Sequence, residues 1–249
     1  MKKDRSLKFQ LNKFNKNGFV IEKIFNKSIL ENFKEKLLKN LRKSAKKHNI
    51  YSIKNIKNLE EYFNLVSKTE HEILMDRETR TIKFKKSEAQ LILNKKIRDL
   101  LSYYSDKEYY ILRSSNKFSS RGKDFNNYAG FRIVEPNSDK VAGYHSDHYN
   151  LQNFKFTMWV PLIGFNNKYS LKLITGSHYY KHSKKQIVKN KFGSARLFNN
   201  LYLKKFSKAF RPNLKLGEVI LFHPYLIHGN AKNLGKTVRV SLEIKIGTD

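Results

Sequence analysis

Six short runs rich in β-branched and aromatic residues succeed one another in the second half of the chain: Tyr128–Val134, Ala142–His148, Phe154–Leu162, Ser170–Thr175, Gly217–His223 and Val238–Ile246. Pro136-Asn137, Asn166-Asn167 and Gly176-Ser177 fall in the gaps. Proline presets φ, and Asn and Gly tolerate turn geometry, so these pairs read as punctuation. Short strands at this spacing predict an antiparallel barrel or sandwich. Between Lys181 and Asn213 the pattern weakens into a basic, Asn-rich insertion.

The first half has a different period. Residues 1–10 are polar and are expected to fray, and Asn17-Gly18 turns the chain into a short apolar run, Phe19-Val20-Ile21. Ser28 with Glu31 has capping-box spacing and predicts a helix from Ile29 to Lys43. Its apolar positions Ile29, Leu30, Phe33, Leu37, Leu38 and Leu41 recur at three and four, so one face should pack inward. Residues 51–100 show further helical periodicity, enough for two or three helices, and Tyr103–Arg113 is aromatic and β-prone. Ser114–Asn127 is a polar loop long enough to serve as a lid. The expected class is therefore mainly β with flanking helices, α+β. It reads as one domain over residues 1–249, with helices in 1–127 packed on one side of a β core in 128–246.

A hydrophobic fraction of 39% places the chain among those that bury a core. No run of about 18 apolar residues is present, which argues against a membrane helix, and no signal-peptide pattern is read at the N-terminus. The default expectation is the cytoplasm. With no cysteine, disulfides and thiolate metal sites are excluded. The net charge of +30 invites a nucleic-acid reading, but only 11 of the 51 basic residues are Arg, and Lys is scattered through every segment among Asn and Ile. That pattern fits base composition better than a binding stripe, and no zinc-finger, homeodomain or RNA-motif signature is present.

The chemistry concentrates around His145-Ser146-Asp147. Side chains alternate along a strand, so His145 and Asp147 point the same way and can share an ion. His228, 83 residues beyond His145, is the candidate third ligand. Two imidazoles and one carboxylate on one face of an ion leave open positions, the arrangement of non-haem Fe(II) oxygenases. Arg239 follows on a later strand, and its planar fork of donors suits a carboxylate.

Several motifs in order resemble the phytanoyl-CoA dioxygenase-like branch of the Fe(II)- and 2-oxoglutarate-dependent dioxygenases. They are Asn17-Gly-Phe-Val-Ile21, Tyr144-His-Ser-Asp147, Met158-Trp-Val-Pro-Leu162, Ser170-Leu-Lys-Leu-Ile-Thr-Gly-Ser-His178, Gly217-Glu-Val-Ile-Leu-Phe-His223, His228-Gly-Asn230 and Asn233-Leu-Gly-Lys-Thr-Val-Arg-Val-Ser241. Thr175 stands where that family usually has proline, a change to a turn that leaves the ligands intact. The resemblance implies a double-stranded β-helix (jelly-roll, cupin-like) core, with His145, Asp147 and His228 holding Fe(II). It also implies that Arg239, with Ser241 beside it, binds the distal carboxylate of 2-oxoglutarate, that O₂ is the second cosubstrate, and that succinate and CO₂ are released.

Nearby residues carry competing readings. Trp159 is either core or a cavity wall against 2-oxoglutarate, Arg132 either a surface charge or a second anion clamp, and Tyr144 and Asn230 flank ligands as possible hydrogen-bond donors. His148 would face away from His145 on a strand; His178 reads as a loop anchor, and His223 as structural or pocket-lining. The functional expectation is hydroxylation of a small or carrier-linked, anionic metabolite. The competing readings are a non-catalytic cupin-like module for an anionic glycan or lipid head group, and nucleic-acid demethylation by the same iron chemistry. Nothing in the sequence decides the oligomeric state.

Overall fold

The computed structural model describes residues 2–75, 79–112, 127–138, 143–147, 154–180, 182, 187–190, 193–207, 209–229 and 232–248. In chain order it runs α1 (Lys2–Asn17), β1 (Phe19–Lys23), α2 (Lys27–Lys47), α3 (Tyr62–Leu65), α4 (Lys68–Leu74), β2 (Thr81–Lys83), α5 (Lys86–Ile92), α6 (Lys95–Leu101), β3 (Tyr109–Ile111) and β4 (Tyr128–Val134). It continues β5 (Phe154–Ile163), β6 (Lys172–Leu173), β7 (Ile187–Asn190), β8 (Gly193–Phe198), α7 (Asn200–Leu203), β9 (Glu218–Phe222), β10 (His228–Gly229) and β11 (Arg239–Thr248).

The major sheet has the order β1-β9-β5-β11-β4-β2, with β3 paired to the far end of β11. Every pairing in it is antiparallel. Strand β11 sits between β5 and β4, and its alternation sorts the two faces. Val240, Leu242, Ile244 and Ile246 are fully buried and join Phe131, Met158, Val160 and Leu221 in the main core. Arg239, Ser241, Glu243 and Lys245, the alternate positions, turn to the other face.

The helices cover the apolar face. Leu30, Phe33, Leu37, Leu38, Leu41 and Ala45 of α2 are all buried in that core. The helix is capped by Asn26, whose Oδ1 accepts from the Ile29 N–H at 2.9 Å, and not by Ser28. Asn26 is extended (ψ 172°), the backbone an N-cap needs, whereas Ser28 is already inside the helix. A capping box forms instead at Ser67 and Glu70 on α4.

The opposite face is closed by a narrow second layer. His145 bridges His228, β10 pairs with β6, and Leu173 bridges Phe210, so four chain segments lie side by side. Leu171, Leu173, Leu214 and Leu226 pack across the gap onto Phe19, Trp159, Ile220 and Phe222 of the major sheet. Two antiparallel layers closed over an inner core in this way make the jelly roll.

Several local expectations are corrected. Residues 2–10 belong to helix α1, whose Leu11 and Phe14, on one face, are buried. Among the described residues, the 51–100 region holds four α-helices and also β2, an edge strand too short for period-two reading. The Lys181–Asn213 stretch contains the β7–β8 hairpin and α7. Of Ala142–His148 only 143–147 is described, and there a single bridge replaces a strand. The loop 114–126 and the lid reading attached to it lie outside the described residues. Among the described residues, no helix is long and apolar enough to cross a membrane.

Candidate metal centre

The main chain fixes the two histidines first. His145 N–H donates to His228 O at 2.8 Å, and His228 N–H returns the bond to His145 O at 2.9 Å. Asp147, past the bridge, is held by its own N–H donating to Pro224 O at 2.9 Å. His145 and Asp147 converge as the sequence predicts, although only His145 is in a bridge and Asp147 lies in a bend held to Pro224.

Each imidazole is then oriented through one nitrogen. His145 Nδ1 donates to Gly143 O at 3.1 Å and His228 Nδ1 to Leu226 O at 2.9 Å. A carbonyl can only accept, so the proton sits on Nδ1 and the Nε2 lone pair is presented, the usual partnership of a metal-binding histidine. His228 Nε2 lies 3.9 Å from Asp147 Oδ2. The three side chains offer ligand atoms that all lie within 4.8 Å of one another. Burial, and next the neighbouring His228, push His145 down to about 4, so it stays neutral at pH 7, the form that ligates. This set of two neutral imidazoles and a carboxylate fits a divalent iron with open positions.

The carboxylate has partners that sequence reading missed. Thr157 Oγ1 donates to Asp147 Oδ2 at 2.8 Å, and the Lys245 ammonium donates to the same oxygen. Lys245 also reaches Thr157 Oγ1 at 3.2 Å and Glu243 Oε1 at 2.9 Å. Burial opposes the Asp147 charge, but Lys245, with His228 and His145, overrides it and holds the carboxyl well below its usual range. The signal that could have found this cluster is the alternation on β11, where Glu243 and Lys245 share the face of Arg239 and Ser241.

A cavity opens beside the ligands, lined by Arg132, His145, Trp159, Leu171, His228, Ser241 and Glu243. Arg132 stands directly opposite Ser241 in the β4–β11 register, which carries it to the cavity instead of the outer surface. Trp159 fills both of its expected parts, being 3% exposed within the inner core and a wall of the cavity. Arg239 is buried, and its Nη1 donates to Tyr169 O at 3.2 Å. Burial, followed by the fields of Arg132 and Arg211, lowers the guanidinium to about 10, so it remains cationic at neutral pH. Arg211, which sequence reading also missed, donates through Nη2 to the carbonyls of Lys168, Ser170 and Lys232 and so ties the loop before β6 to the one after β10.

The remaining candidates sort cleanly. Tyr144 is not on the cavity wall; its ring packs against the small cluster of Ile174, Phe198, Tyr202 and Ile227. Asn230 and His148 lie outside the described residues. His178 anchors a loop as expected, Nε2 donating to Asn15 O at 2.9 Å. His223 lines a separate surface cavity with Phe14, Tyr104, Phe156 and His178.

Comparison with known proteins agrees with this geometry. The phytanoyl-CoA dioxygenase family model matches residues 14–241. Among solved structures, the epimerase SnoN in complex with Fe3+, alpha ketoglutarate and nogalamycin RO superposes with a TM-score of 0.59 at 11% identity, covering 98% of this chain and 84% of that one. The non-heme alpha ketoglutarate dependent carbocyclase SnoK from nogalamycin biosynthesis gives 0.58 at 12%, covering 97% and 83%. EctD from S. alaskensis, with 2-oxoglutarate and 5-hydroxyectoine, gives 0.59 at 16%, covering 96% and 75%. No curated protein matches by sequence. The chain belongs to the phytanoyl-CoA dioxygenase family and is a non-haem enzyme dependent on Fe(II) and 2-oxoglutarate.

Proposed function

We propose that His145, Asp147 and His228 hold the Fe(II), that Arg239 and Ser241 receive the distal carboxylate of 2-oxoglutarate with Trp159 as a wall, and that the enzyme hydroxylates a small or carrier-linked anionic metabolite. The observation that carries this reading is the cluster of three ligand atoms within 4.8 Å, both histidines being tied down by Nδ1. When bound, the iron supplies O₂ activation coupled to decarboxylation of 2-oxoglutarate to succinate. The protein's part is placement. The bridge between His145 and His228 presets the ligands, so little ordering is left to binding. Arg239 offers a buried cation whose charge is worth more in a dry site than in water. Trp159 and Leu171 keep water from the wall of the cavity, as an oxidising centre requires.

An anionic substrate is supported by Arg132 on the cavity wall and by the net charge of +30, which raises the local concentration of anions. The test is succinate release on supplying Fe(II), 2-oxoglutarate and an anionic substrate panel. Release that ignored removal of either Fe(II) or 2-oxoglutarate would sink the reading. A non-catalytic cupin-like module is disfavoured because the ligand set is complete.

A further inference from the structure

Two carboxylates stand at the metal centre, Asp147 in the ligand group and Glu243 on the cavity wall. Glu243 lines it together with His145 and His228, yet among the described residues only His145, Asp147 and His228 form a ligand group. What separates the two carboxylates is a single cation. Lys245 lies between them with its side chain 7% exposed, holding Asp147 Oδ2 on one side and Glu243 Oε1, at 2.9 Å, on the other. Its third contact is Thr157 Oγ1 at 3.2 Å. An ammonium donates and has no lone pair to offer, so Lys245 itself cannot ligate.

We propose that Lys245 is a positioning residue that limits the metal centre to one carboxylate ligand, by holding Glu243 back from the ion. The proposal rests on the metal reading above. The physical reason lies in what the reaction needs. A centre with two imidazoles and one carboxylate keeps positions open for a chelating cosubstrate and for O₂. A second carboxylate would fill one of those positions and make the site more like an oxygen-rich cage for a spectator cation. A buried lysine is an expensive way to fill space, since an apolar side chain of similar volume would pack without the desolvation cost. Its charge beside a dication also weakens metal affinity, a disadvantage that the coordination count offsets.

The prediction therefore runs opposite to simple structural damage. In Lys245→Met, which removes the charge and keeps the volume, the apoprotein should bind Co(II) about tenfold or more tightly than the wild type, because a nearby repulsive charge is gone and a carboxylate is released. The same variant, loaded with Fe(II) without oxygen, should show a weakened or missing visible charge-transfer band on addition of 2-oxoglutarate. Adding Glu243→Gln to it should bring the band back. Lys245→Gln, which keeps a donor for Asp147 but no charge, supplies the same measurement if the methionine variant does not fold. Co(II) binding equal to or weaker than wild type, or a band of wild-type strength at wild-type 2-oxoglutarate concentrations, overturns the proposal, as does a double variant that stays without the band. A wild-type protein that takes up no Co(II) at all defeats the metal reading itself, and is recognisable as a separate failure.

Discussion

His145 and His228, 83 residues apart in the chain, exchange both backbone hydrogen bonds, at 2.8 and 2.9 Å. The pair is thus a β-bridge before it is a metal site. Backbone geometry does not depend on the imidazoles, and His145→Ala and His228→Ala should fold. Each should lose the rise in melting temperature that Fe(II) or Co(II) gives the wild type, because a ligand that binds only the folded state stabilises by mass action. Succinate formation should fall by more than about a hundredfold, since even the outer partners of metal ligands contribute about 10–100-fold. Full turnover in His145→Ala would remove it from the ligand set.

Arg239→Gln separates the cosubstrate clamp from the metal. The variant should bind Co(II) as the wild type does and require about 10–100 times more 2-oxoglutarate, the range of a lost charge-assisted hydrogen-bond pair of about 1.5–3 kcal/mol. A calorimetric titration of 2-oxoglutarate into the metal-loaded protein gives the number, and an unchanged affinity would move the clamp elsewhere, Arg132 being next on the cavity wall.

The start of α2 offers a clean contrast. Asn26→Ala removes the Oδ1 acceptor of the Ile29 N–H and should cost about 1 kcal/mol. Ser28→Ala, one position inside the helix, should be neutral or slightly stabilising because alanine is the better helix former. Urea denaturation of both variants decides between the two residues, and a larger loss in Ser28→Ala would reverse the assignment.

Two glycines with positive φ differ in what surrounds them. Gly217 has φ +82°, and a Cβ there would sit 1.9 Å from the Phe25 carbonyl oxygen, a backbone atom that also marks the turn joining β1 to α2. Gly176 has φ +76°, and the nearest atom would be 3.8 Å away. Gly176→Ala should therefore cost only the left-handed penalty of about 1–2 kcal/mol. Gly217→Ala adds a steric overlap that nothing flexible can relieve, and should fall well below it or fail to fold. Melting temperatures in the same buffer test the order.

Much of this molecule was readable before any coordinates. The apolar period of Leu30, Phe33, Leu37, Leu38 and Leu41 marked the buried face of α2, because packing and helical geometry impose the same three-four spacing. The β-branched run Val238–Ile246 marked a strand, because such side chains suit a pleated surface. Where propensity was weak, reading failed. The polar-looking α1 is held by Leu11 and Phe14 and by hydrogen bonds to Asn15 from Tyr104 and His178, and β2 is three residues long, so tertiary contacts and not local pattern decide both.

At the metal centre the division is sharper. Residue types and their order along the chain, His145, Asp147, His228 and then Arg239, already named a coordination chemistry, since few side chains can serve that purpose and each leaves a recognisable letter. Sequence could not say that Lys245 closes over Asp147 across 98 positions, or that Glu243 shares the cavity with the histidines. Lysine and glutamate are common and ordinarily solvated, and nothing local distinguishes a buried pair from an exposed one. The pairing of β11 with β5 brings Lys245 to Asp147 and Thr157 and buries its ammonium between Asp147 and Glu243, and that placement turns ordinary charges into determinants of the site.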